Sequence, residues 1–281
     1  MAKLIGGLAT SHIPAIGGAI HKGLQQADYW KPFFDGFPPI RTWLDAVKPD
    51  VVVMFYNDHG LNFFLDKMPT FAVGAAEQYN NADEGWGIPT LPPFKGNQAL
   101  SWHVINHLIE KEFDITTCQE MLVDHACTLP LKLFWPEAVC PVEVVPVCIN
   151  TVQFPLPSAK RTYALGKAIG EAIAKWPSDK KVAVIASGGL SHQLDGERAG
   201  FINKAFDLEF MDSMASNPEW ATQFNTLELV EKTGTQGVEL LMWLAMRAAL
   251  TATSGRIRKV HSNYHIPISN TATGLMAFSV E

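Results

Sequence analysis

Short apolar runs alternate with stretches of helical periodicity along most of the chain. The run at 51–56, VVVMFY, has no charged position, which is typical of a strand that is covered on both faces of a sheet. Apolar residues at helical spacing in 158–176 predict an amphipathic helix. The same patterns predict further strands at 3–9, 142–149, 181–187, 257–266 and 273–280, and further helices at 15–30, 38–48, 97–112, 128–134, 199–215 and 236–253. This alternation favours an α/β fold in which helices flank a mostly buried sheet.

The stretch from about 60 to 96 interrupts the alternation. It contains four prolines and several glycines, and it predicts a long irregular connection. Loops of this length inside a compact domain usually cover a site or carry function. The sequence shows no internal repeat, low-complexity tract or linker, so we expect one domain over residues 1–281.

Composition and charge narrow the class of protein. Hydrophobic residues make up 47% of the chain and charged residues 18%, which indicates a well-packed globular protein. The net charge of −6 argues against a nucleic-acid partner, since phosphate backbones attract basic surfaces. Apolar runs stay short of the roughly 18 residues of a spanning helix, and the N-terminus lacks the apolar core of a secretory signal. The four cysteines form no CxxC pair, as expected of reduced thiols in a cytoplasmic protein.

Three histidines lie just past the ends of three predicted strands. They are His12, His59 and His192. Ligands of open α/β sheets bind outside the carboxyl ends of the strands, so we expect the three side chains to share one site. Imidazole suits iron, copper, zinc and nickel, whereas magnesium and calcium prefer oxygen. The pattern predicts a transition-metal site, although it does not select which two histidines bind the metal.

Glu239 is the fourth informative position. It lies in the predicted helix 236–253, where few positions are polar, and we therefore expect it to face protein. A buried carboxylate is costly unless a cation accompanies it. Two imidazoles and one carboxylate form the facial triad of non-haem iron(II) oxygenases. The alternative is that Glu239 pairs with Arg247 at the helix surface.

Neighbouring residues suggest how the rings are held. Asn57 and Asp58 beside His59 are candidates to orient its imidazole through the second ring nitrogen. Gly188-Gly189 before His192 allows a close backbone approach or positive φ. His125, in LVDHACTLP, is a further candidate, with Asp124 as its orienting partner.

Five segments resemble the catalytic subunits of the class III (type II) extradiol ring-cleavage dioxygenases. In order they are GGLATSHIP, FYNDHG, LVDHACTLPL, SGGLSHQL and TQGVELLMWL, and the likeness extends to the closing SNYHIPISNTATGL. The resemblance implies a mixed α/β sheet with its active site at the carboxyl ends of strands. It implies iron(II) held by His12, His59 and Glu239, an acid–base role for His192, and His125 as a second active-site histidine.

The resemblance also implies a reaction, in which dioxygen opens a catechol ring beside its two hydroxyls. It favours protocatechuate, opened at the 4,5 bond to 4-carboxy-2-hydroxymuconate semialdehyde. A carboxylated substrate needs hydrogen-bond donors, for which Asn57, Ser269, Asn270 and Thr271 are candidates. Gallate and methylgallate are alternatives, although gallate-cleaving relatives generally carry a fused small domain that this length does not accommodate. A zinc hydrolase with the same ligands and a metal-free binding module also stay open.

A partner chain is expected on the same grounds. The resembled enzymes that cleave protocatechuate have a separate small alpha subunit that covers the active site. The stretch 60–96 and the aromatic residues Phe33, Phe34 and Trp86 predict more apolar surface than a monomer leaves uncovered. A lid formed by the chain itself is the alternative. We expect a hetero-oligomer with an alpha subunit.

Overall fold

The strands of this computed structural model form one large sheet and one small one. The structure describes residues 1–85, 91–137, 139–268 and 270–281. Its strands are β1 (Lys3–Thr10), β2 (Val51–Tyr56), β3 (Phe71–Gly74), β4 (Gln78–Asn81), β5 (Phe94–Lys95), β6 (Thr116–Cys118), β7 (Leu122–Val123), β8 (Glu143–Ile149), β9 (Lys181–Ser187), β10 (Ile257–Ile268) and β11 (Thr271–Val280). The large sheet has the order β10-β11-β1-β9-β2-β8-β3-β6, and the small one has the order β5-β4-β7.

The large sheet is mixed, as predicted. Its central strands β1, β9, β2 and β8 are parallel. β11 runs antiparallel to β1, and β3 runs antiparallel to β8. Because β1, β9 and β2 are neighbours with the same direction, their carboxyl ends lie side by side at one edge of the sheet. The antiparallel β11 begins at that same edge.

Helices cover both faces of the sheet. They are α1 (Pro14–His21), α2 (Lys31–Phe34), α3 (Phe37–Val47), α4 (Gln98–Glu110), α5 (His125–Phe134), α6 (Ala159–Lys175), α7 (Lys204–Ser216), α8 (Thr226–Thr233) and α9 (Leu240–Leu250), with 3-10 turns at Trp220–Gln223 and Gly237–Glu239. In β2, Val53 belongs to the apolar cluster under α4, α6, α7 and α9. The next residue, Met54, belongs to the cluster under α1, α3 and α5. Every residue of β2 is fully buried, which explains why the strand has no polar position.

Two glycines bring α6 and α9 into backbone contact. A Cβ atom at Gly166 would lie 2.1 Å from the carbonyl oxygen of Ala245, and one at Gly170 would lie 2.1 Å from that of Ala249. Side chains therefore do not separate the two helices at these points. The distance of α9 from α6 is set by main-chain contact, and α9 follows directly on Glu239.

Several predicted elements differ in length or kind. The helix predicted over 15–30 ends at His21, because Gly23 adopts a φ of 67° that a right-handed helix does not contain. The stretch 60–96 contains the short strands β3, β4 and β5, and residues 86–90 lie outside the described part. The sequence analysis missed α8, which buries only Leu229 and Thr233, although Asn225 and Glu228 form a capping box at its start. Within the described residues, no helix is long and apolar enough to cross a membrane.

Candidate metal centre and substrate cavity

Three of the predicted ligands meet at the carboxyl edge of the sheet. His12 follows β1, His59 follows β2, and Glu239 closes the 3-10 turn that precedes α9. The Oε1 atom of Glu239 lies 3.4 Å from Nε2 of His12 and 3.6 Å from Nε2 of His59. The two rings are perpendicular, with centroids 5.2 Å apart. One carboxylate oxygen and two ring nitrogens thus converge on one point.

Hydrogen bonds fix both rings with Nε2 toward Glu239. Nδ1 of His12 lies 2.6 Å from the hydroxyl of Ser187, which itself donates to the carbonyl of Ala126. That hydroxyl must therefore accept from Nδ1–H. Nδ1 of His59 donates to Asp124, 2.8 Å away, which also accepts from the His59 backbone. Both rings consequently direct Nε2 at the same point, as metal-binding histidines do.

Main-chain and amide donors hold the Glu239 carboxylate. Oε2 accepts from the backbone N–H of Gly189 at 2.9 Å, and Oε1 accepts from the Asn57 side chain at 3.2 Å. Gly188 has a φ of 111°, and a Cβ atom there would lie 2.8 Å from Cβ of Glu239. The paired glycines therefore allow the backbone to approach the carboxylate.

The electrostatics of the cluster favour a cation. Burial alone raises the pKa of Glu239, but His12 and His59 outweigh it and hold that pKa well below its usual range. Burial likewise lowers the pKa of His59, but Asp124 and Glu239 outweigh it and raise that pKa to about 10. Two buried carboxylates thus stabilise positive charge at this point. A divalent ion that displaces the His59 proton fits both the charge and the donor atoms, which suit iron(II) or zinc.

His125 lies beside the cluster and offers a second possible ligand set. Its ring stacks on that of His59, with centroids 4.3 Å apart and an interplanar angle of 23°. Ring nitrogens of His12, His59 and His125 lie within 4.8 Å of one another. Both sets share His12 and His59, so they differ in whether Glu239 or His125 completes the triad.

A cavity of about 590 Å³ opens on the cluster, a size that suits a small organic ligand. Its inner wall is formed by His12, His59, His125, His192 and Glu239, and the rest of the lining is Ile13, Pro14, Ala15, Thr151, Val152, Phe154, Leu194, Asp195, Thr235, Gln236, Asn270 and Thr271. The cavity therefore joins the four predicted histidines to a partly apolar mouth.

His192 is held through a backbone carbonyl. Its Nδ1 lies 2.8 Å from the oxygen of Leu190. A carbonyl oxygen only accepts, so the neutral ring carries its proton on Nδ1 and its lone pair on Nε2. The ring lines the cavity, where Nε2 can accept a proton from a bound ligand.

The substrate-binding candidates are placed differently from one another. Asn270 and Thr271 line the cavity at the start of β11. Ser269 lies outside the described residues. Asn57 is fully buried and does not line the cavity; its amide contacts Glu239 and Nε2 of His59.

Two of the predicted orienting partners were wrong. Asn57 does contact the His59 ring, at Nε2, but Nδ1 is held by Asp124, whereas Asp58 accepts backbone N–H bonds from residues 60–63. His125 is oriented by Glu84, whose carboxylate lies 2.6 Å from Nδ1. The sequence analysis missed Glu84, which lies in the irregular stretch with no local signal. It also missed Ser187, although a polar residue that ends a buried strand is such a signal.

Two further expectations are corrected. Arg247 does not pair with Glu239; its guanidinium donates to the carbonyl of Met214 on α7. Phe33 is buried in the core and does not add to the exposed apolar surface, while Phe34 is half-buried and Trp86 lies outside the described residues. The stretch 60–96 does expose apolar side chains, at Phe64 and Leu65, and others lie at the cavity mouth, where Val152, Phe154 and Leu194 are 48%, 50% and 57% exposed.

Known proteins are similar to this sequence over most of its length. Residues 6–275 match the family described as the catalytic LigB subunit of aromatic ring-opening dioxygenase. A gallate dioxygenase of Pseudomonas putida is 36% identical over 201 residues, which are 71% of this chain and 57% of that protein. A 2,3-dihydroxyphenylpropionate/2,3-dihydroxicinnamic acid 1,2-dioxygenase of Xanthobacter autotrophicus is 27% identical over 286 residues, with 86% of this chain and 88% of that enzyme covered.

One solved structure bears on the fold alone. The crystal structure of an uncharacterized Escherichia coli K12 protein superposes with a TM-score of 0.55 at 14% identity, over 99% of this chain and 100% of that one. The two proteins share an architecture. The chain spans a little over half the length of the gallate dioxygenase that it matches, 57%.

Proposed function

Because this chain belongs to the family of the catalytic LigB subunit of aromatic ring-opening dioxygenases, we propose that it is an iron(II)-dependent extradiol dioxygenase acting on a carboxylated catechol. The observation that carries the proposal is the convergence of His12, His59 and Glu239 on one point at the inner wall of the cavity. In this proposal residues 1–281 act as one catalytic domain.

The proposed iron ligands are His12, His59 and Glu239. Glu239 is favoured over His125 as the third ligand because it supplies a negative charge and lies within 3.6 Å of both Nε2 atoms. It also occupies the helix start that closes the site. When bound, iron(II) supplies a Lewis acid for the catechol hydroxyls and a redox centre for dioxygen.

In this proposal His192 moves the protons. Nδ1–H stays on the carbonyl of Leu190, so Nε2 accepts a proton from a substrate hydroxyl and later returns it to the product. An imidazole suits both directions at neutral pH. His125 also belongs to the inner wall, where it contacts a substrate oxygen and orients the substrate ring. The apolar mouth limits the entry of water.

The substrate is proposed to be gallate or protocatechuate, with gallate tested first. The sequence-based preference for protocatechuate depended on chain length, and the 36% identity to a gallate dioxygenase supports gallate at least as well. Among the described residues that line the cavity, none is lysine or arginine. The substrate carboxylate is therefore assigned to neutral donors, for which Asn270 and Thr271 are in place.

A small alpha subunit is proposed to cover the cavity mouth. Val152, Phe154 and Leu194 leave an apolar rim exposed there, and surfaces of this kind usually bind another protein. The isolated chain is then expected to bind iron and to turn over slowly. Full activity of a monodisperse monomer would contradict the partner without affecting the proposed reaction.

The test combines metal analysis with oxygen uptake. Protein reconstituted anaerobically with iron(II) is given gallate, protocatechuate or 2,3-dihydroxyphenylpropionate, and dioxygen consumption is recorded together with the ring-opened product. We expect one dioxygen per ring and the highest kcat/KM with gallate. Protein that prefers zinc and consumes no oxygen with any catechol would contradict the dioxygenase and favour a hydrolase.

A further inference from the structure

Glu84 binds His125 with both of its carboxylate oxygens. Oε1 accepts from the backbone N–H of His125 at 2.7 Å, and Oε2 accepts from Nδ1 at 2.6 Å. The two side chains are 9% and 1% exposed, so water does not compete for these bonds. Glu84 comes from the connection between β4 and β5, within the irregular stretch 60–96. This stretch therefore reaches the inner wall of the cavity.

The two bonds fix the orientation of the His125 ring. A carboxylate oxygen that accepts from Nδ1 places the ring proton there, which assigns Nε2 to the contacts that the ring makes within the site. In that orientation the ring stacks on His59 at 4.3 Å and meets His12 edge-on at 5.3 Å. Two stacked histidines are thus held by separate carboxylates, His59 by Asp124 and His125 by Glu84.

A structural role explains only one of the two Glu84 contacts. Oε1 accepts from the His125 backbone N–H at the start of α5, where N–H groups lie outside the helix's own hydrogen bonds, beside the Ala126 N–H that Asp124 already caps. The bond from Nδ1 of the ring to Oε2 serves no part of the helix. Asp124 and Glu239 are buried nearby and carry negative charge, so a third carboxylate in this place is costly to keep ionised. The position of Glu84 is explained when its task is to orient a ring that contacts substrate.

We propose that Glu84 is a positioning residue for ring cleavage, which acts through His125 by locking its tautomer and orientation. The inference rests on the proposed dioxygenase function. Glu84 does not touch the substrate in this account. Its removal is expected to affect turnover more than substrate affinity, and to leave the iron ligands in place.

The experiment compares Glu84→Gln and Glu84→Ala with the neighbouring variant Asp83→Asn. Glutamine keeps one acceptor oxygen, and its NH₂ group cannot accept from Nδ1–H or from the backbone. Asp83 is exposed and accepts from the backbone N–H of Gly85 within its own turn, so Asp83→Asn removes the same charge one residue away. Iron content, kcat and KM with gallate are measured for each. The tautomer of His125 is read by ¹⁵N–¹H correlation in histidine-labelled protein loaded with diamagnetic Zn²⁺.

We expect kcat to fall about 10- to 100-fold in Glu84→Ala, the usual cost of a lost orienting partner, with KM and iron content nearly unchanged. The kcat of Glu84→Gln is expected to lie between those of Glu84→Ala and the wild type. The kcat of Asp83→Asn is expected to equal that of the wild type. The His125 signals should show Nδ1–H in wild type and a mixture in Glu84→Ala. In a His125→Ala background, Glu84→Ala should have no further effect, because the two residues act as one unit.

Three results would overturn the inference. The first is an unchanged kcat in Glu84→Ala, and the second is an unchanged His125 tautomer. The third is that Glu84→Ala lowers kcat as much in the His125→Ala background as in the wild type. Failure of the proposed function is distinguishable, since wild-type protein would then open no catechol ring while the tautomer measurement still reports on Glu84. If Glu84→Ala does not fold, the tautomer and kcat of Glu84→Gln decide.

Discussion

The inner wall and the mouth of the cavity are built in opposite ways. At the inner wall, His12 and Glu239 are 2% and 5% exposed, and each ligand is held by a hydrogen bond to a neighbouring element. At the mouth, Phe154 and Leu194 are about half exposed and come from loops that follow β8 and β9. The inner-wall residues follow strands or begin helices, and hydrogen bonds tie their side chains to neighbouring elements. The mouth residues are exposed, so a substitution there disturbs fewer contacts. Under the proposed function, the mouth is therefore the part of the cavity that is freer to vary with the substrate.

The largest effects are expected from the inner wall. His59→Ala removes one of three proposed ligands, and we expect iron affinity to fall by more than about 100-fold, beyond the cost of losing an orienting partner. Glu239→Gln should also weaken binding, because it removes the negative charge that neutralises the cation. Iron content after gel filtration and far-UV circular dichroism separate metal loss from unfolding. Full iron content and activity in His59→Ala would remove it from the ligand set.

Removal of the proposed base should spare the metal. His192→Ala is expected to keep its iron and to bind catechol, while kcat falls about 100-fold or more, the usual scale for a lost acid–base group. Single-turnover kinetics of iron-loaded protein measure the ring-opening step directly. Loss of iron in this variant would show that His192 is a ligand.

A smaller effect on iron affinity is expected from Asn57, which contacts a proposed ligand. Asn57 donates to Oε1 of Glu239 and is fully buried. Asn57→Ala frees the carboxylate to rotate, and we expect iron affinity to fall about 10-fold. Asn80→Ala, an exposed amide on β4, is the matched control and should leave affinity unchanged. Equal affinities in both variants would mean that Gly189 alone holds Glu239.

The smallest effect is expected at the mouth. Asp195 lines the cavity but is exposed, so its repulsion of a substrate carboxylate is screened by water. We expect Asp195→Asn to raise kcat/KM for gallate relative to neutral pyrogallol about twofold at low salt, and less in 0.5 M NaCl. Glu197→Gln, exposed but away from the cavity lining, is the control. A change of tenfold or more would place Asp195 in direct contact with substrate.

The sequence predicted the parts of the site that end an apolar run. His12, His59 and His192 each follow a buried strand, and their common position follows from the parallel order of β1, β9 and β2. Glu239 was predicted to face protein because few positions of its segment are polar, and it is 5% exposed. It lies in a 3-10 turn before α9 and not within a continuous helix, a difference that hydrophobic periodicity does not resolve.

The orienting partners could not be predicted from adjacent residues. Asp124 follows β7 and reaches back 65 residues to His59, and Glu84 reaches 41 residues forward to His125. The expected partners Asp58 and Asp124 were neighbours in sequence, and their side chains do not reach the rings they were assigned to. Asp58, beside His59, is occupied by backbone N–H groups of its own loop. Pairings of this kind depend on how loops fold over the sheet edge, for which local patterns carry no information.

The backbone contact of α9 with α6 at Gly166 and Gly170 couples these two distant positions to the placement of Glu239. A methyl group at Gly166 would lie 2.1 Å from a carbonyl of α9, so that helix would have to move by about 1 Å. Glu239 stands immediately before the helix and would be carried with it. Misplacement of a reacting group by 1 Å can cost about 100-fold in rate. Substituting alanine at a buried glycine that touches neither iron nor substrate would therefore be read, in a kinetic screen, as an active-site mutation.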